Sequence, residues 1–100
     1  MKVRFAPQAV RDLERIADWI ARVDPDAASR LIDTLHEKAE AIGEMPLAFP
    51  LFRGGEALGF RSRVHGSYLI VYRVTDHVGI TRIVHGARDR DSLIAELSDD

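Results

Sequence analysis

The stretch RIVHGARDRDSL, Arg82 to Leu93, sets His85 among Arg82, Arg88 and Arg90 at the end of an apolar run. An imidazole that changes charge near neutrality, placed beside guanidinium groups, suits acid–base chemistry on a phosphodiester, contact with an anionic partner, or local hydrogen bonding that finishes a strand. Upstream, Arg61 and Arg63 in FRSRV stand two residues apart, so in a strand both forks leave the same face and make a two-fork anion site. Arg88 and Asp89 are predicted to pair locally where the chain leaves the sheet, with Asp89 also in reach of His85. Arg73, inside YLIVYRV, must find a carboxylate or the open face of the sheet, because an unpaired buried charge costs several kcal/mol. This reading gives Arg61, Arg63, His85 and Arg88 to partner contact and Arg73 to structure. It assigns no catalytic residue.

The charge distribution fits that emphasis on the second half. The chain has 100 residues and a formal net charge of −2, which gives no global argument for nucleic acid or membrane. Between Arg53 and Arg90, however, seven arginines face only Glu56, Asp76 and Asp89, before the tail turns acidic at Asp91, Glu96, Asp99 and Asp100. All those cations are arginine, whose planar fork suits carboxylate and phosphate better than a lysine does. The absence of cysteine removes disulfides, thiol chemistry and cysteine-bound zinc. Four scattered histidines make no metal-ligand spacing, so neither metal nor cofactor is expected. No apolar run approaches a membrane span and MKVRFAPQAV has no signal-peptide core, so a cytoplasmic protein is expected.

The elements that must position these groups follow from periodicity. KVRF alternates as a short strand. From Pro7, the apolar Val10, Leu13, Ile16, Ala17 and Ile20 recur at helical spacing. Asp24-Pro25-Asp26 then caps a second helix with Ala28, Leu31, Ile32, Leu35, Ala39 and Ile42 on one side and Gly43 at its end. The short link predicts an antiparallel helical hairpin. Met45–Gly59 reads as a loop. FRSRV, YLIVYRV and VGITRIVH, joined by short turns, predict an antiparallel meander, and RDSLIAEL predicts a short C-terminal helix or tail. Trp19, Phe49, Phe52 and Phe60 are expected in the core or anchoring loops, and Tyr68 and Tyr72 to share a packed face. The result is one domain over residues 1–100 of the α+β class, ordered β-α-α-β-β-β, with the hairpin packed on an antiparallel sheet.

In that order and spacing, Ala9, Asp12-Leu13, Ile16 and Trp19-Ile20 in the first helix, Ala27-Ala28 and Leu35 in the second, the Pro46 loop, LGFRSR, YLIVYRV and IVHGARD resemble the RelE/ParE superfamily of type II toxin–antitoxin toxins, and within it the ParE-like branch. The likeness spans about Val3 to Asp89. It implies a growth-arresting toxin neutralised by a cognate ParD-like antitoxin in a hetero-oligomeric complex. ParE-like members inhibit DNA gyrase; RelE-like members cut messenger RNA on the ribosome without a metal. Arg63 matches a basic position of the nucleases and His85 the histidine of some of them. The tyrosine that often follows is replaced by Gly86, and the loop before the meander carries one cation, Arg53, in place of a lysine-rich set. The resemblance therefore implies gyrase inhibition, with ribosome-dependent RNA cleavage as the alternative.

Overall fold

The computed structural model describes residues 1–98; Asp99 and Asp100 of the expected acidic tail lie outside them. Strand β1 (Val3–Phe5) runs into helix α1 (Pro7–Ala21), and α2 (Pro25–Ala41) returns alongside it. Pro7 starts α1, where its missing N–H costs nothing. Asp24 caps α2 by accepting from the Ala27 N–H at 3.0 Å. The meander follows as β2 (Phe60–His65), β3 (Tyr68–Val74) and β4 (Val78–His85). The chain ends in α3 (Gly86–Ser98).

The sheet order is β1-β4-β3-β2. The meander pairs are antiparallel as expected, while β1 pairs parallel with β4, Val3 against Val78 and Phe5 against Ile80. β3 is buried on both faces, which is why YLIVYRV is apolar without alternation. Ile70 and Tyr72 point into the helical hairpin with Leu13, Leu35, Ala39, Ile80 and Ile83. Leu69 and Val71 point the other way, against Phe52, Phe60, Val84, Leu93 and Leu97. α3 is therefore the second cover of the sheet and starts directly at the end of β4, four residues earlier than RDSLIAEL suggests.

Two irregularities set up the functional surface. Val71 faces Arg82 but Tyr72 faces Ile80, so Thr81 is an extra residue bulged from β4. The bulge reverses the alternation and puts Ile83 on the same face as Ile80. Second, β1 is short: its last bond is Ala6 N–H to Ile80 O at 2.9 Å. Beyond Ile80 the outer edge of β4 has no neighbouring strand.

Candidate functional site

The open edge of β4 forms the floor of a cleft of about 640 Å³ between α1 and α3, lined by Arg15, Trp19, Ile20, Tyr68, His85 and Arg88 among others. Both backbone N–H groups that face outward on this edge are closed by carboxylates. Asp12 on α1 accepts from Ile83 N–H at 2.9 Å, and Asp89 on α3 accepts from His85 N–H at 3.2 Å. Asp12 is 3% exposed and also takes Arg82 in a two-toothed pair, Nε to Oδ2 at 2.8 Å and Nη2 to Oδ1 at 3.1 Å. The same guanidinium bonds Glu96 on α3 at 2.6 Å. Arg82 thus ties α1, β4 and α3 together, and its two carboxylate partners, Asp12 first, push its pKa further above the ordinary arginine value.

His85 and Arg88 lie together at one end of the cleft. The His85 Nδ1 accepts the Arg88 N–H at 3.2 Å, and its ring meets Tyr68 edge-on with centroids 5.8 Å apart. Arg88 pairs with Asp89 through Nε and Nη2 at 3.1 and 3.2 Å. That pairing lowers the Asp89 pKa and raises that of Arg88.

Arg61 and Arg63 do share a face, the one under the helical hairpin, and the register places His85 on that same face through its pairing with Tyr68, but two strands away on β4. Arg61 Nη1 donates to Phe49 O at 2.7 Å and Arg63 Nη1 to Lys38 O at 2.9 Å, while the Arg63 guanidinium stacks 4.7 Å over the Phe49 ring. Both arginines therefore hold the Met45–Gly59 loop and the end of α2 against β2. Tyr72 adds a bond to Pro46 O at 2.7 Å, and its burial raises the hydroxyl pKa against the pull of Arg61. Arg73 takes the second of the two courses expected of it, the open face of the sheet: it is exposed, on the α3 side, and lies 4.7 Å over Phe60. Strand phase carries it past the end of the covering helix to open solvent.

Trp19 lies outside the core or loop-anchoring place expected of it, and the Asp12–Arg82–Glu96 tie leaves no mark in the sequence. Trp19 is 62% exposed, stacked with Arg22 at 5.3 Å. It sits at the margin of the helical stripe, so its apolar bulk suggests a core that its position does not join. Asp12 reads as one more polar residue between apolar ones, and its partners lie 70 residues away. Among the described residues no group of three potential ligands is placed to hold a metal ion, and no helix is long and apolar enough to cross a membrane.

A small sheet covered by a helical hairpin on one face and a C-terminal helix on the other, with a cleft along an unpaired strand edge, defines a compact α+β domain. Residues 3–90 match the family of the ParE toxin of type II toxin–antitoxin systems, and the chain belongs to that family. It is 30% identical to the putative toxin Y4kP of Sinorhizobium fredii over 86 residues, covering 84% of this chain and 86% of the relative. It is 33% identical to toxin RelE3 of Caulobacter vibrioides over 90 residues, 88% of this chain and 97% of the relative. Among solved structures, the chromosomal ParDE system from P. aeruginosa superposes with a TM-score of 0.70 at 19% identity, covering 85% of this chain and 95% of that one. The RelBE2 toxin–antitoxin complex from Mycobacterium tuberculosis gives 0.59 at 31% identity, covering 84% and 95%. The protein is a type II toxin of the RelE/ParE superfamily.

Proposed function

We propose that this toxin arrests growth by holding DNA gyrase, and that a ParD-like antitoxin silences it by occupying the cleft between α1 and α3. What carries the reading is the state of the arginines. Metal-free cleavage of RNA needs cations free to meet the developing charge on the phosphate. Here Arg61 and Arg63 are turned onto the chain's own carbonyls and Arg82 onto Asp12 and Glu96. Arg88 is shared with Asp89. With these forks already committed, the surface favours grasp of a protein over chemistry on a phosphodiester. Within it, His85 and Arg88 meet the partner directly, while Arg61 and Arg63 are two strands away, fixing the Met45–Gly59 loop. An amphipathic antitoxin segment would lay apolar side chains on Ile16, Trp19 and Ile20 and acids against Arg15 and Arg88, giving a hetero-oligomeric complex. Both the gyrase contact and the complex require that toxin and target share the cytoplasm.

Purified toxin is expected to block gyrase supercoiling and to leave ribosome-bound mRNA intact. The alternative, ribosome-dependent mRNA cleavage, draws support from His85, an imidazole that lines the cleft beside Arg88. Codon-specific cuts that disappear in His85→Ala, with supercoiling unaffected, would establish that alternative.

A further inference from the structure

Helix α3 begins on the residue after β4 without the serine, threonine, aspartate or asparagine that ordinarily opens a helix. His85 stands in that place. Its Nδ1 accepts the N–H of Arg88, the third residue of the helix, at 3.2 Å. In return Asp89 reaches back to the His85 N–H at 3.2 Å. The two bonds form a reciprocal box in which a histidine fills the position of the usual hydroxyl or carboxylate. The box does a second thing: the His85 N–H lies on the open outer edge of β4, so Asp89 in its helical position also seals that edge.

We propose that His85 is the N-cap of α3 and a proton-operated latch: its protonation releases the first helical turn and bares the β4 edge. Only a neutral imidazole can accept at Nδ1, since the imidazolium has two donors. Protonated, the ring would turn an N–H toward the Arg88 N–H and place a positive charge at the positive end of the helix. The groups around it act as follows. From α3, the Arg88 guanidinium adds repulsion; Asp89 attracts the imidazolium, but its oxygens are already bound by Arg88 and by the His85 N–H. From β3, Tyr68 offers a ring packed T-shaped against the imidazole. Across the cleft, α1 presents Arg15, and the Asp12 and Glu96 carboxylates are held by Arg82. Loss of the acceptor therefore decides the sign, and acid loosens the turn.

Hydrogen exchange on the full chain tests this, read at residues 85–92 against the amides of β3 and corrected for intrinsic rates, at about pH 7.5 and about pH 5, the interval in which imidazoles change charge. Protection of the parent is expected to fall by about fivefold at the lower pH, the loss of one cap. In His85→Asn, which caps without titrating, protection is expected to match the parent's higher value at both. Nitrogen chemical shifts should place the neutral proton of His85 on Nε2. Unchanged protection in the parent, an equal fall in His85→Asn, or a proton on Nδ1 would each overturn the proposal. His36, His65 and His77 are present in both proteins, so the comparison isolates position 85.

Discussion

At the scale of single residues, the largest cost in this surface attaches to Asp12. Its replacement by alanine leaves the largely buried Arg82 with Glu96 alone and strips the Ile83 N–H of its acceptor. Denaturant midpoints should show Asp12→Ala destabilised by about 3 kcal/mol, whereas Arg73→Ala, at an exposed site, stays within about 0.5 kcal/mol. Asp89 makes a pH-dependent contribution. Its folded pKa lies below the unfolded value, chiefly through Arg88 and, with it, the His85 N–H. The stabilisation is therefore complete above the ordinary carboxylate range, near about pH 4, and is lost as pH falls through the folded value. The stability gap between parent and Asp89→Asn should be constant at neutral pH and close in stronger acid; a gap that persists there would show that Asp89 acts by shape and not by charge.

Among the elements, α3 depends on a close approach that a glycine permits. Gly54 has φ +98, and a Cβ there would sit 2.6 Å from Ile94 on α3. Gly54→Ala is expected to cost about 2 kcal/mol and to lower exchange protection in α3 before that of β3, a sequence that native-state exchange resolves. The hairpin and the meander were legible because their apolar positions repeat at helical or strand spacing over many residues. The extent of α3 was not, since Gly86 disfavours a helix start and its cap is a histidine. Nor was the bulge at Thr81, which leaves no mark beyond a broken alternation in VGITRIVH. The grouping of His85 with Arg88 follows from their separation by three residues. His85 shares the hairpin face with Arg61 and Arg63 but stands two strands away from them, a register set by strand pairing that the sequence alone does not give.

For the whole molecule, a partner seated in the cleft, as proposed, should add to stability. A ligand that binds only the folded state raises the melting temperature by mass action, so antitoxin at about 100 times its Kd should stabilise the toxin by about 2.7 kcal/mol. Trp19→Ala should weaken that complex by about 2 kcal/mol, measured by calorimetry, with little change in the stability of the free toxin, because the indole is exposed before binding. An unchanged Kd would remove Trp19 from the interface. The parallel pairing of β1 with β4 has a further consequence, for synthesis. The first strand lacks its sheet partner, and the Asp12 carboxylate its Arg82 and Ile83 partners, until residues 78–83 have emerged from the ribosome. A nascent or truncated chain ending before β4 leaves the hairpin unlocked and its apolar stripe exposed, open to proteolysis. Truncation before β4 is therefore expected to abolish folding of the domain, and with it any grip on a target, whether or not an antitoxin is present.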